Sequence, residues 1–310
     1  MNRICSVWRK LQALVWRSGG KGGLLKLAFT YFLLIGFGFI YLYPIIYMVV
    51  SSLFSLNDLT DPAVRWIPRA LYFDNFREAF ITLDFLKSLG FSILTSLVPA
   101  LLQTVATAVI GFGLARFPVP LKKLWLVLIV ATFLIPYQVT TLPRYLMFDS
   151  YHMLESVWPT FLPALFGQGY RSAIFLLVFF SFFSSYPKSM DEAASIDGAS
   201  RLQIFYRIAL PAAKSAIVMS FLFSFVWYWN EVSQSALYFG QSITTLPIQL
   251  QNFTSRYEQL AEAGDGTFMR LNESISMAGI LLSILPLIIM YCFLQKQFVE
   301  SIERSGITGE

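Results

Sequence analysis

Apolar residues run along this chain in long unbroken stretches, without the alternation of a half-buried strand or the one-faced stripe of a soluble helix. Residues 27–54 carry no charged side chain, and roughly 20 apolar residues suffice to cross a bilayer as a helix. Similar runs cover 90–115, 124–143, 216–240 and 275–294, the fourth of these five broken only by Glu231. One further run is irregular. Residues 158–166 are apolar, Gly167-Gln168-Gly169-Tyr170-Arg171 interrupts, and 172–186 resumes for 15 residues. That piece spans about 22 Å as a helix, short of a ~30 Å hydrocarbon core. Either the helix recruits the glycine segment or a short re-entrant piece precedes it. The pattern predicts an all-α membrane protein of six spans with both termini on one side.

Composition supports this class. Of 310 residues, 56% are hydrophobic and 13% charged, against about a quarter charged in a soluble domain. Disorder needs low hydrophobicity and high charge, so it is excluded as well. The first run is too long for a signal-peptide core, and no small-residue cleavage site follows it. The net charge of +5 raises the question of nucleic acid, and topology answers it. Arg3, Arg9, Lys10, Arg17, Lys21, Lys26, Arg116, Lys122, Lys123, Lys188, Arg201, Arg207, Lys214, Lys296 and Arg304 fall on the side of the termini, 15 of 23 basic residues. Only Asp191, Glu192, Asp197, Glu300, Glu303 and Glu310 do so among 18 acids. The positive-inside rule then places both termini in the cytoplasm, and no nucleic-acid partner is needed. The expected organisation is a basic cytoplasmic tail at 1–26, a membrane domain at 27–294 with a cytoplasmic loop at about 187–214, and a cytoplasmic tail at 295–310.

Catalytic and metal chemistry has little to draw on. Two cysteines, Cys5 and Cys292, and one histidine, His152, make neither a disulfide framework nor paired-histidine zinc spacing. His152, beside Asp149 and Glu155, reads as a solvated surface residue. Ser18-Gly19-Gly20-Lys21-Gly22-Gly23 is glycine-rich but lacks the spacing and the Ser/Thr of a phosphate loop. It reads as a linker, and ATP handling is assigned elsewhere.

The loop between the fourth and fifth spans is the most informative segment. Ser189 precedes Glu192 by three residues and Ser200 precedes Gln203 by three, which predicts two capping boxes. Gly198 sits where a first short helix would end in a left-handed residue. A second short helix then runs from Arg201 towards Leu210, and Pro211 suits a first helical turn. Ala193 and Ala194 are small enough for another surface to approach, and Asp191, Glu192 and Asp197 make the first helix acidic. By itself this describes a surface helix between two spans.

The ordered string Glu192-Ala193-Ala194, Asp197-Gly198-Ala199, Phe205, Ile208, Leu210-Pro211 resembles the cytoplasmic "EAA" loop of ABC importer permeases. Ser215 stands where many sugar permeases of that family have a second proline. Gly113-Leu114-Ala115-Arg116-Phe117, Ile135-Pro136-Tyr137-Gln138-Val139, Trp229-Asn230-Glu231 and the tail Gln297-Phe298-Val299-Glu300 with Ser305-Gly306 are similar to carbohydrate-type members, in particular the maltose-type second permease subunit. The resemblance covers about 73–309. It implies the type I importer permease fold, with a coupling helix docked on an ATP-hydrolysing subunit through Ser189, Asp191, Glu192, Ala193, Ala194, Asp197, Gly198, Ala199 and Ser200. It also implies a bacterial plasma or inner membrane location, a second related permease forming a heterodimer, two ATP-binding subunits and an extracytoplasmic solute-binding protein. The chain itself binds no cofactor, ATP and Mg²⁺ belonging to the ATPase.

Polar residues inside spans are the candidates for a solute pathway. Trp227, Trp229, Asn230 and Glu231 combine aromatic faces with hydrogen-bonding groups suited to a sugar. An aromatic interfacial belt with a snorkelling carboxylate explains them equally. Tyr137 and Gln138 are further candidates, whereas Gln103 reads as an interhelical hydrogen bond and Arg171 as an interfacial anchor. The outer segments 55–87 and 241–272 could meet a binding protein or simply be solvated. The competing functions are a permease for a peptide or other solute, a membrane-embedded enzyme and a channel. The single histidine and the absence of paired acids in a span weigh against the enzyme, and nothing resembles a selectivity filter.

Overall fold

A computed structural model describes residues 24–263 and 270–307, with side chains placed from 26 to 263 and 270 to 296. The expected N-terminal tail lies outside the described residues up to position 23. The described residues contain helices and turns and no strand. In chain order the helices are α1 (Leu24–Ser51), α2 (Leu56–Thr60), α3 (Asp74–Thr82), α4 (Phe85–Arg116), α5 (Lys122–Leu134), α6 (Tyr137–Ser150), α7 (Trp158–Leu165), α8 (Ser172–Ser185), α9 (Lys188–Ile196) and α10 (Arg201–Ile204). A π-helical turn (Phe205–Ala209) leads into α11 (Leu210–Ala212), α12 (Lys214–Asn230), α13 (Ser233–Phe239), α14 (Leu246–Gln251), α15 (Phe253–Ala263) and α16 (Glu273–Ile307).

Lys26–Ser51, Phe85–Arg116 and Glu273–Lys296 are each long and apolar enough to cross a bilayer alone. By length and composition, three bent pairs, α5 with α6, α8 with α9 and Arg201–Ala212 with α12, raise the number to as many as six if each pair counts as one span. The third span is therefore not the straight helix its apolar run suggests. It turns by 94° between α5 and α6. Pro136 biases the residue before it away from helix, and Ile135 is extended at φ −71°, ψ 120°. In the fourth run the helix does not recruit the glycine segment: α7 ends before the left-handed Gly167 (φ +67°) and α8 starts anew at Ser172. The fifth stops at Asn230, short of position 240, and resumes as α13. The last helix continues unbroken past 294 to Ile307.

The described residues group into two units, 24–76 with 272–281, and 77–271 with 282–307. In the first, α1 exposes most of its apolar side chains, among them Phe32 and Ile35, as a helix facing lipid or another subunit does. Asn75 Nδ2 donates to the carbonyls of Ser52 and Phe54 at 2.9 and 2.8 Å and closes the chain turn after α1. Tyr47 donates its hydroxyl to Glu273 at 2.7 Å.

In the second unit α4 is the central post. Its 32 residues extend about 48 Å, and α7, α8 and α12 pack along it. The buried face is small and polar: Ser92, Thr95, Ser96, Ala100, Gln103, Thr104, Thr107, Ala108 and Gly111. Small residues let membrane helices approach closely. A Cβ on Gly111 would lie 2.7 Å from the Cβ of Phe179, so this crossing with α8 requires glycine. Thr95, Thr104 and Thr107 return their hydroxyls to carbonyls one turn back, each at 2.7 Å, which leaves no donor stranded in an apolar surrounding.

Candidate functional site

The first candidate is the connection 187–214. The capping box at Ser200 and Gln203 forms in full: Ser200 N–H donates to Gln203 Oε1 at 2.7 Å, and Gln203 N–H to Ser200 Oγ at 3.3 Å. Gly198 is left-handed (φ +82°) as the turn between α9 and α10 requires. The box expected at Ser189 does not form. Pro187 takes the cap position of α9, so Ser189 already lies in the first turn and caps nothing. Ala194 and Ala199 also differ from expectation. They face inward, with Ile204 and Phe205, onto a core of Ala108, Phe112, Phe179, Phe183 and Ala216. Phe112 anchors that core, its ring 5.3 Å from Phe183 and 5.0 Å from Phe205.

Asp191 is buried and carries the main electrostatic link. Its Oδ2 lies 3.4 Å from Arg116 Nε in the last turn of α4, with side chains 10% and 5% exposed. Arg116 also donates to the Tyr186 carbonyl at 2.5 Å and lies 4.8 Å from the Tyr186 ring. This brace fixes α9 to the end of α4. The opposite face of the connection is free: Glu192, Ala193, Asp197 and Ser200 are exposed, and so are Met190, Ile196, Leu202 and Tyr206, with Ile196 at 86%.

The second candidate is a cavity of about 460 Å³ in the same unit. It forms where the bend Ile135–Tyr137 meets the segment Gln168–Ala173, with Thr140, Arg144 and Gln234 completing the wall. Its floor is held from the core. Gln103, fully buried, donates from Nε2 to the Tyr170 carbonyl at 2.9 Å and to Ser224 Oγ at 3.2 Å. Gln103 Oε1 accepts from the Tyr228 hydroxyl at 2.7 Å, and Tyr170 N–H donates to the same hydroxyl at 3.3 Å. Gln103 is thus the interhelical hydrogen bond its position suggests. A Cβ on Gly169 would collide with Gln103 Oε1 and the Tyr228 hydroxyl, which is why the interruption of the fourth span carries glycine there.

The sequence model for the inner membrane component of binding-protein-dependent transport systems matches residues 107–304, more than half of the chain. The chain belongs to this family. Its members work with an ATPase, a further membrane component and a solute-binding protein. The chain is 28% identical over 277 residues to protein LplC of Bacillus subtilis, covering 88% of this chain and 92% of that one. It is 28% identical to the polygalacturonan/rhamnogalacturonan transport system permease protein YtcP of the same organism, over 90% and 96% of the two chains. It is 24% identical to the probable starch degradation products transport system permease protein AmyC of Thermoanaerobacterium thermosulfurigenes, over 89% and 95%. The fold superposes with a TM-score of 0.70, at 21% identity over 90% of this chain and all of the other, on a chain from the crystal structure of a bacterial ABC transporter involved in the import of the acidic polysaccharide alginate.

The six expected pathway residues of this permease separate. Tyr137 lines the cavity, and Gln138 beside it is exposed outside its wall. Trp229 is buried, its ring stacked 5.8 Å from Phe225. Trp227 packs 5.1 Å from Phe175 and lies under Arg171, 4.9 Å away. Asn230 and Glu231 serve the helix break: Asn230 donates to the Val226 carbonyl at 2.9 Å, and Glu231 accepts the Gln234 N–H at 2.9 Å. Arg144, Gln168 and Gln234 were missed as cavity residues. For Arg144 a signal existed: Tyr137, Thr140 and Arg144 follow helical spacing and share one face of α6.

The described residues of 55–87 and 241–272 make specific tertiary contacts. Tyr257 of α15 donates its hydroxyl to the buried Glu78 carboxylate, and Leu246 N–H donates to Ser92 Oγ at 2.8 Å. Burial first, and then the Glu78 bond, push the Tyr257 phenol above its ordinary range.

Proposed function

We propose that this permease forms half of the pathway of an oligosaccharide importer, and that 187–214 is the cytoplasmic surface through which a separate ATPase drives it. One observation carries the reading. The connection exposes Met190, Ile196, Leu202 and Tyr206 together with the acidic Glu192, while its inner face is locked to α4, α8 and α12 by an apolar core and the Arg116–Asp191 pair. An exposed apolar surface on a braced support is the form of a docking site. The distribution of basic residues supports a cytoplasmic position for this surface and for both termini.

The partners in this reading are a second related permease in a heterodimer, two ATPase subunits that hold ATP and Mg²⁺, and an extracytoplasmic binding protein. Relatives named for starch degradation products and for polygalacturonan and rhamnogalacturonan support a saccharide as the solute. ATP binding closes the ATPase pair, α9 follows its ATPase, and the permeases shift between inward- and outward-open states. The energy difference between states comes from ATP, as any such shift requires. In proteoliposomes holding the complete importer, removal of 192–198 is expected to abolish uptake and release the ATPase while the chain still inserts. Uptake at the unmodified rate would overturn the docking assignment.

A further inference from the structure

Two cations line the cavity at the bend of the third crossing, Arg144 and Arg171, and no acidic residue does. Among the described residues neither arginine has a salt-bridge or hydrogen-bond partner. Arg171 rests on the Trp227 ring, 4.9 Å away, and Arg144 has no such support. The carboxylate that shares these surroundings, Glu231, is occupied with the Gln234 N–H at the start of α13. Both arginines belong to apolar crossings: Arg144 to α6, which continues the third, and Arg171 to the head of α8. Charged groups at such places are costly and pair with one another, with backbone carbonyls or with what passes through. Arg171 is moreover held in the left-handed region (φ +51°), an unfavourable conformation for a residue with a Cβ.

The rest of the wall has the chemistry of a saccharide site. Phe133, Tyr137 and Tyr170 offer aromatic faces, and Gln168, Gln234 and Thr140 offer hydrogen-bonding groups. The volume of about 460 Å³ falls within the range of small-molecule sites, about 300–1,000 Å³. A planar guanidinium matches a carboxylate in two parallel hydrogen bonds. We infer that this cavity is a subsite for a carboxylated saccharide, with Arg144 and Arg171 as its charge-recognising residues. This rests on the oligosaccharide reading above and narrows it to solutes that carry uronic-acid rings.

The test uses the complete importer in proteoliposomes, with trigalacturonate and its fully methyl-esterified form as a matched charged and neutral pair. Maltotriose serves as an unrelated neutral saccharide. The complete importer is expected to take up the acid in preference to the ester. Arg144→Gln and Arg171→Gln are each expected to reduce that preference about tenfold, the size of a lost charge-assisted bond, and Arg144→Lys to restore part of it. Because the binding protein also selects, equilibrium dialysis of trigalacturonate against the permease–ATPase complex without it should show the same loss. Equal uptake of acid and ester, or variants that lower both alike, would overturn the inference. So would variants that change only the dependence on anionic lipid, since the arginines would then serve headgroups. Uptake of maltotriose alone would overturn this inference and leave the oligosaccharide reading standing. Uptake of no saccharide at all would overturn both.

Discussion

The Arg116–Asp191 pair allows the bracing of the proposed coupling surface to be tested quantitatively. In Asp191→Ala the guanidinium of Arg116, with its side chain 5% exposed, loses its only salt bridge among the described residues. Breaking a buried pair from one side costs about 3–5 kcal/mol. The 3.4 Å separation is long, Asp191 Oδ1 has no hydrogen-bond partner among the described residues, and Arg116 keeps the Tyr186 carbonyl and ring. The lower end applies, about 3 kcal/mol. At tenfold per 1.4 kcal/mol, α9 should detach from α4 about a hundred times more often. The reporters are the amides of Asp197, Gly198 and Ala199, which are bonded to the carbonyls of Ala193, Ser195 and Ala194. Hydrogen exchange on the detergent-solubilised complex should show them speeding by about two orders of magnitude. Removing both charges, as in Arg116→Met with Asp191→Leu, should recover most of the protection, because an apolar replacement of a buried pair is often neutral. Acceleration of less than about threefold in Asp191→Ala, or a double variant as labile as the single one, would refute the brace.

Gly169→Ala should destabilise the solubilised permease by about 1–3 kcal/mol, because the new methyl displaces Gln103 or Tyr228 and strands a buried polar group; the melting temperature reads it, and an unchanged value would remove Gln103 as the pin. Tyr257→Phe leaves the buried Glu78 carboxylate without that donor and should cost about as much, seen as easier proteolysis within 253–263. The backbone N–H of Ala63 chiefly holds the exposed Asp61 below the ordinary carboxylate range; desolvation opposes it, and Arg69 adds to the lowering. The folded value is depressed, so this turn is secure above about pH 4 and loosens as pH falls through the lowered value. Fluorescence of Trp66, close by in sequence, should change only there.

Elements governed by local chemistry were legible. The apolar runs mark the three helices long enough to cross alone, Gly198 marks its turn, and the Ser200 box closes because both of its partners lie within one helical turn. The Ser189 box fails through an equally local competitor, since Pro187 starts α9 ahead of the serine. The bends were less legible. Pro136 sits in an uninterrupted apolar run, and a proline there reads equally as a mild kink or as the 94° turn that occurs. The cavity was least legible, because it needs that bend, the Gly167–Arg171 interruption and α13 to arrive at one depth. Trp229 and Glu231 show the consequence. Both look like pathway residues by type, yet packing takes the first into the core and helix capping takes the second. Arg144 enters the wall because the bend turns α6 to face the glycine segment.

The cavity floor and the proposed coupling surface are held by the same helix. Gln103 pins the Gly169–Tyr170 segment and Arg116 pins α9, 13 positions apart on α4, about 20 Å at helical rise. The only proline inside α4 is Pro99, so the stretch between them is an uninterrupted helix. If α4 is only a scaffold, Gln103→Leu and Asp191→Ala are too far apart to interact, and their effects on melting should add within about 0.5 kcal/mol. If α4 carries motion from the ATPase to the cavity, stability should still add while ATP turnover per solute transported should not. Losing either pin already uncouples the two ends, so the second loss has little left to remove. The double variant should then transport about as well as the worse single one. Additive losses in transport would assign α4 to support alone and place the transmission on α8 or α12, which flank it.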